Sequence, residues 1–236
     1  MNAVVLPIQT RRRFVRRGLL LTASGLAGGL AKAAEPKGGD GMVRVSPNED
    51  LMREHGVLNR VLIVYDEVIR RLTTGEEVPP EAVRDAAKIV RSYVEDYHEK
   101  LEQDYLFPRF INANRMKDLV QVLLQQHLGG RNLTDVAMHM ATVGAVKDRE
   151  DRRKLAEALG NFVHMYHAHE AWEDTVLFPA FRTLVSAHEY SALREDFDKR
   201  ERELFGGDSF GAMVERVAAI EKQLGIDDLA KFTRGF

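Results

Sequence analysis

A thirteen-residue phrase occurs twice in the chain, and it carries residue types that bind metal ions. The phrase H-E-x-x-E-x-x-x-L-F-P-x-F begins at His98 and again at His169. In each copy a glutamate, Glu102 or Glu173, follows the histidine by four residues. Side chains at i and i+4 lie on the same face of a helix, one turn apart. Each copy can therefore offer an imidazole nitrogen and a carboxylate oxygen to one metal centre.

Two more histidines, His55 and His127, lie at matching depths on neighbouring predicted helices. His55 and His98 are each 18 residues, about 27 Å, from the predicted turn between them. His98 and His127 are each 13 residues, about 20 Å, from the next turn. The midpoint of His127 and His169 is position 148, in a charged stretch that predicts the third turn. Four histidines are therefore expected at one level.

The donor types and their number limit the metal. Cysteine is absent from the 236 residues, which excludes thiolate nucleophiles, zinc fingers and thiolate-ligated iron–sulfur clusters. Four nitrogens and two carboxylates are too many for one tetrahedral zinc ion and predict two ions with carboxylate bridges. This mixture suits non-haem iron, with manganese or zinc as alternatives. Ordinary polar residues on solvent-facing stripes are the competing interpretation, but burying so many ionisable groups without a metal would be costly.

Glu99 and Glu170 directly follow the two repeat histidines. Each lies about 100° round the helix from its histidine, which favours a flanking position. Their duplication suggests a use, either as bridging ligands or as carboxylates around the ligands, and Glu99 is kept as a candidate ligand. Tyr105 and Tyr166 could face the site as hydrogen-bond donors or pack in the core. The remaining histidines point to other faces, where surface roles are expected: His139, His164, His167 and His188.

The elements that must position these residues are helices. Apolar residues recur at three- and four-residue steps, and Gly and Pro cluster between the periodic stretches. The predicted fold is all-α, an antiparallel up-down four-helix bundle with two extra C-terminal helices. Gly129-Gly130 indicates a close helix approach, a kink or a break, and the two Leu-Phe-Pro-x-Phe segments are expected to plug one end. The predicted helices cover about residues 48–72, 80–107, 115–143, 151–185, 187–205 and 209–224.

The first 33 residues are interpreted as a leader. Thr10–Arg16 resembles the twin-arginine export signal, and an apolar stretch too short for a stable membrane span follows it. Ala31–Ala33 fits a cleavage site, and a basic N-terminal arm is the alternative. The predicted domains are a signal peptide at 1–33, a linker at 34–46, the bundle at 47–186 and a helical extension at 187–236.

Loss of the leader would change the net charge. Residues 1–33 hold six cations and no acids, so the whole-chain charge of −2 becomes −8. A clearly acidic mature protein is a poor partner for nucleic acid or for an anionic membrane. The expected partners are the twin-arginine translocation machinery and a small diatomic ligand or peroxide. The expected location is the periplasm or another exported compartment, with no membrane span in the mature chain.

The motif set resembles the hemerythrin-like (HHE cation-binding) family over about residues 46–185. The resemblance implies a four-helix bundle that holds a non-haem di-iron centre. Glu99 matches a position where some members use an additional carboxylate. The oxygen-carrying hemerythrins place a second histidine four residues after the ligand of the third helix, and here that position is Arg131. By position, the implied ligands are His55, His98, Glu102, His127, His169 and Glu173.

Three classes of function are compatible with such a site. A binding module would bind or sense oxygen, nitric oxide or iron in the cell envelope. An enzyme would act on peroxide, nitric oxide or ferrous iron. A structural helical protein would bind cations adventitiously. No electron-donor module is recognisable and no cysteine could support thiol-based recycling, which favours binding over catalysis.

Overall fold

The computed structural model describes residues 45–233, and every regular element in that range is helical. The prediction of an all-α chain is therefore confirmed for this part. The longer helices are α1 (Pro47–Thr74), α5 (Lys117–Met140), α6 (Arg149–Trp172), α8 (Ala187–Phe205) and α9 (Ser209–Leu224). The shorter α-helical pieces are α2 (Pro80–Ile89), α3 (Glu99–Leu101), α4 (Phe107–Asn112) and α7 (Phe178–Arg182). A 3-10 turn, Leu229–Phe232, follows α9.

Three π-helical segments join the shorter pieces into long runs. The segments are π1 (Val90–His98), π2 (Glu102–Leu106) and π3 (Glu173–Leu177). One helical run therefore extends from residue 80 to 112, and a second extends from 149 to 182. Such wide turns within α-helices often occur at functional sites. Here His98 ends one of them, while Glu102 and Glu173 begin the other two.

The predicted helix boundaries agree closely with the structure except at Pro108. The sequence pattern ends the second helix near Phe107, whereas the helical run continues to Asn112. Proline lacks an N–H group, and its ring clashes with the carbonyl one turn earlier in a regular α-helix. The π turns directly before Phe107-Pro108 and Phe178-Pro179 widen the helix where that conflict arises. The repeated proline therefore changes the helical register without ending the helix.

Local capping explains where the chain turns. Ser46 and Glu49 form a capping box, with 2.9 Å between the Ser46 amide nitrogen and Oε2 of Glu49. Gly75 ends α1 in the left-handed region at φ 82°, a conformation that glycine adopts without steric cost. The carboxylate of Asp148 accepts hydrogen bonds from two backbone amides at the start of α6. These residues set the lengths of the helices and hence the level of each histidine.

Four long helical segments pack side by side around the site. Helix α1 packs against α6, α6 against α5, α5 against α2 and π1, and α1 also against π1. The two Leu-Phe-Pro-x-Phe segments close one end, as predicted, and the rings of Phe110 and Phe181 meet there at 6.1 Å. Helices α8 and α9 pack on α1, and α9 also contacts α2.

The outermost predicted segments have different outcomes. The predicted leader at 1–33 and nearly all of the linker at 34–46 lie outside the described residues. The proposed domain limits at 46/47 and 186/187 stay predictions. The helices at Ala187–Phe205 and Ser209–Leu224 are confirmed. Within residues 45–233, none of the helices combines the length and the apolar character that crossing a bilayer requires.

Candidate metal centre

Six histidine and glutamate side chains converge in two overlapping groups. Within each group, the candidate donor atoms all lie within 4.8 Å of one another. The first group is His55, His98, Glu102 and Glu173, and the second is Glu102, His127, His169 and Glu173. Both glutamates thus belong to both groups, so two carboxylates lie between two pairs of imidazoles.

Glu173 contacts one histidine of each group. Its Oε2 atom lies 3.1 Å from Nε2 of His169 and 3.4 Å from Nε2 of His55. Its side chain is fully buried. A carboxylate in this position can bridge two cations, because it reaches donors that belong to different groups.

Glu102 has the corresponding position on the other side. Its Oε1 atom lies 3.7 Å from Nε2 of His98, and its Oε2 atom lies 3.4 Å from Nε2 of His127. The histidines themselves are buried, with at most 3% of their surface exposed. The two glutamates therefore occupy corresponding positions, each between histidines of the two groups.

Several buried polar atoms of this cluster lack hydrogen-bond partners within the described part of the chain, which tests whether the residues fit a metal. Among residues 45–233, no hydrogen-bond partner reaches either carboxylate oxygen of Glu102 or of Glu173, or Nε2 of His55. Buried polar atoms without partners are costly, and buried carboxylates especially so. All of these atoms are lone-pair donors that face one another. A cation satisfies such a set, and the residues therefore fit a metal site.

Burial strongly shifts the pKa values of the cluster. Burial, followed by the charge of Glu173, raises the pKa of Glu102 to about 8. Burial lowers the pKa of both His98 and His127 to about 4. Burial also opposes ionisation of Glu173, but His169 and His55 outweigh it and lower its pKa well below the usual range. The low pKa values of His98 and His127 keep their Nε2 atoms available for a cation near neutral pH, because the ligand form of imidazole is the neutral ring. Burial also acts to lower the pKa of His55 and His169, but the neighbouring carboxylates outweigh it and raise both values, that of His55 well above its usual range.

Each ligand histidine uses its second nitrogen on an outer partner. Nδ1 of His55 lies 2.8 Å from Oδ1 of Asp174, and Nδ1 of His98 lies 2.7 Å from Oε2 of Glu54. An ionised carboxylate can only accept, so with Asp174 and Glu54 ionised these Nδ1 atoms carry the proton and Nε2 faces the centre. Burial raises the pKa of Glu54 to about 8, and a cation on His98 would favour its ionised form.

Amides are the outer partners in the second group. Nδ1 of His127 lies 2.8 Å from the side-chain amide of Gln103, and Nδ1 of His169 lies 3.0 Å from Oε1 of Gln126. Partners of this kind orient the ring and tune its basicity. None of the four outer partners was predicted from the sequence. Their common offsets were the available signal: Glu54 and Gln126 each precede a ligand histidine by one residue.

Glu99 is placed beside the centre and outside both donor groups. Its Oε1 atom accepts a hydrogen bond of 2.8 Å from Tyr166, and its Oε2 atom pairs with Arg131 at 3.0 Å. Its Oε2 atom also lies 4.0 Å from Nδ1 of His127, the ring nitrogen that faces away from the centre. Groups from two other helices thus hold both of its oxygens outside the donor groups, and the role of Glu99 as a ligand stays a prediction.

The hydrogen bond from Tyr166 to Glu99 requires glycine at position 130. Helix α5 passes through Gly129-Gly130 without interruption, so the predicted alternative of a helix break is wrong. A Cβ atom at position 130 would clash with the hydroxyl group of Tyr166. The close helix approach is therefore confirmed: glycine leaves the space from which Tyr166 donates to Glu99.

The other sequence predictions near the site have simple outcomes. The ring of Tyr105 packs edge-on against Phe197 of α8 at 5.5 Å, so packing is its role. Glu170 is buried and accepts a hydrogen bond from Asn59. Surface positions are confirmed for the four remaining histidines, all of which are exposed: His139, His164, His167 and His188.

Comparisons with known proteins agree with this geometry. The model of the family described as "Hemerythrin HHE cation binding domain" matches residues 46–145. Uncharacterized protein Rv1995 of Mycobacterium tuberculosis is 41% identical over 230 residues, which cover 92% of this chain and 90% of that protein. Uncharacterized protein Mb2018 of Mycobacterium bovis matches to the same extent. No solved structure matches the chain.

Proposed function

Because the chain belongs to the hemerythrin HHE cation-binding family, we propose that it holds a non-haem di-iron centre that binds or senses a small ligand. The ligand class is oxygen, nitric oxide or iron itself. The observation that carries the proposal is the pair of donor groups that share Glu102 and Glu173. A helical protein with a site for one cation would not need the second pair of histidines.

We also propose that the four long helical segments form an antiparallel up-down bundle. Two observations support this arrangement. The connections between successive segments are short, and each segment packs on the segments that precede and follow it in the chain. In such a bundle residues equally distant from a turn meet at one level, which accounts for the convergence of the four ligand histidines.

The donor set favours iron. Imidazole nitrogens and carboxylate oxygens suit non-haem iron, and the described residues bring no softer ligand to the centre. Such a pair of ions supplies redox-active coordination positions for a diatomic molecule. The chain would hold them with four imidazole nitrogens and two carboxylates, in a buried surrounding that excludes bulk water. Six protein side chains leave coordination positions for a ligand of only a few atoms.

The decisive experiment combines metal analysis with rapid mixing. We expect purified protein reconstituted with ferrous iron under anaerobic conditions to hold close to two ions per chain. The reduced protein is then mixed in stopped flow with oxygen, nitric oxide or peroxide. A reversible spectral change with oxygen or nitric oxide supports binding or sensing. Repeated consumption of any of the three would favour the enzyme instead, and failure to retain iron would exclude both functions.

Export by the twin-arginine route is a proposal from the sequence of residues 1–33. Its support is the run Arg11-Arg12-Arg13 before an apolar stretch and the small residues at Ala31 and Ala33. Replacement of Arg11 and Arg12 by lysine keeps the charge and should retain the protein in the cytoplasm, measured by fractionation. Arg17→Lys, which lies outside Thr10–Arg16, provides the control. Export that persists in the Arg11/Arg12 variant would contradict the proposal.

A further inference from the structure

The two pairs of histidines, His55 with His98 and His127 with His169, form two halves of the centre. These halves use outer partners at the same sequence offsets. The partner of His55 lies five residues after His169, and the partner of His127 lies five residues after His98. Likewise, the partner of His98 directly precedes His55, and the partner of His169 directly precedes His127. The positions are therefore equivalent, and the two halves differ in the residue types at these positions.

Those residue types differ consistently in charge. The histidines His55 and His98 both donate to carboxylates, from Asp174 and Glu54. The corresponding positions in the other half hold neutral amides, from Gln103 and Gln126. Nε2 of Gln103 lies 2.8 Å from Nδ1 of His127, while Oε1 of the same amide accepts from Lys100. A metal on Nε2 of His127 requires the proton on Nδ1, so the amide must turn its oxygen to that nitrogen and give up the bond from Lys100. Even so, its acceptor has no formal charge.

A second pair of equivalent positions, Asn59 and Arg131, also makes the surroundings of the His55 half more negative than those of the His127 half. Asn59, four residues after His55, donates to the buried carboxylate of Glu170. Arg131, four residues after His127, pairs with the carboxylate of Glu99 instead. Near His55, the carboxylate of Glu170 thus meets a neutral amide. Near His127, the carboxylate of Glu99 is instead balanced by a guanidinium group. Lys100, 2.9 Å from the Gln103 side chain, adds a further cation on the second side.

These differences act on a bound cation in two ways. A carboxylate that accepts from Nδ1–H makes the ring a stronger donor at Nε2 than an amide does. Uncompensated negative charge in a buried region also attracts a cation more strongly than a balanced pair. Both effects favour the same position. On the basis of the proposed dinuclear centre, we propose that its two positions are unequal, and that the position of His55 and His98 binds a divalent cation more tightly and fills first.

The test is an anaerobic calorimetric titration of the metal-free protein with ferrous iron alone. The unaltered protein should bind in two steps of different affinity. The double variant Glu54→Gln/Asp174→Asn keeps the shape of both side chains but removes their charges. It should lower the affinity of the tighter step by about 10- to 100-fold for each residue replaced. The reverse variant Gln103→Glu/Gln126→Glu should strengthen the weaker step. Glu157→Gln, at an exposed position on α6, is the matched control, and circular dichroism checks that each variant folds.

The outcomes separate this inference from the proposed function. Two ions that bind with equal affinity would overturn the inequality and leave the dinuclear centre intact. An unchanged tighter step in Glu54→Gln/Asp174→Asn would overturn it as well. A single ion per chain, weakened by that variant and unaffected by Glu157→Gln, would instead refute the dinuclear centre and support the His55/His98 position as the stronger one.

Discussion

Replacement of both His98 and His169 by alanine should remove nearly all iron from the protein and abolish its iron-dependent visible absorption. Each histidine supplies one of the two imidazoles of its donor group, so the double variant weakens both positions at once. The carboxylates of Glu102 and Glu173 remain, but they repel each other, and the variant holds fewer cations to balance that repulsion. Metal analysis after anaerobic reconstitution and the absorption spectrum measure the effect.

The chain offers a matched control for this variant. His164 and His167 lie on the same helix as His169 and are exposed, outside both donor groups. Their replacement by alanine should leave the iron content and the spectrum unchanged. Helical circular dichroism should be similar in the two variants. An undiminished spectrum in the His98/His169 variant would show that the ligands are assigned wrongly.

Removal of the metal should cost the protein a large part of its stability. Glu102 and Glu173 are buried with four carboxylate oxygens that lack hydrogen-bond partners among the described residues, and a bound cation compensates them only in the folded state. At a free metal concentration 1,000 times Kd, each ion adds about 4 kcal/mol to the free energy of unfolding. For a chain of this size, about 4 kcal/mol corresponds to a change of about 8–16 °C in Tm.

Thermal unfolding with and without a chelator measures this contribution. The protein loaded with iron should show the higher Tm, and the difference should grow with the concentration of free metal. The His98/His169 double-alanine variant is the control, because it should unfold at the same temperature in both conditions. An equal effect of the chelator on the variant and on the unaltered protein would mean that the metal stabilises the fold from some other site.

The helices and their levels could be predicted because the signals are local. Capping residues such as Ser46 and Asp148, and the glycine at 75, end helices through contacts within a few residues. Four-residue spacing places His98 with Glu102 on one face, whatever the rest of the fold is. The effect of Pro108 was misjudged because the same residue can end a helix or follow a π turn. The packing around it decides between the two outcomes.

The position of Glu99 illustrates what local spacing leaves open. At about 100° from His98 on the helix, its side chain could turn toward the metal or toward a neighbouring helix. Tyr166 of α6 and Arg131 of α5 hold its two oxygens away from the donor groups. Both partners are more than 30 residues away in the chain, so no pattern around Glu99 indicates them.

The sequence by itself determined the ligand types, their spacing and their approximate level, because helix geometry converts residue number directly into direction and height. Tertiary structure decided which carboxylates lie between the two pairs of histidines, which lie beside them, and which partner each Nδ1 atom meets. Those choices depend on the rotation and separation of neighbouring helices, which arise from the packing of many distant residues. The charged and neutral residues around the two halves of the centre are given in the sequence, but the packing decides which histidine each of them meets.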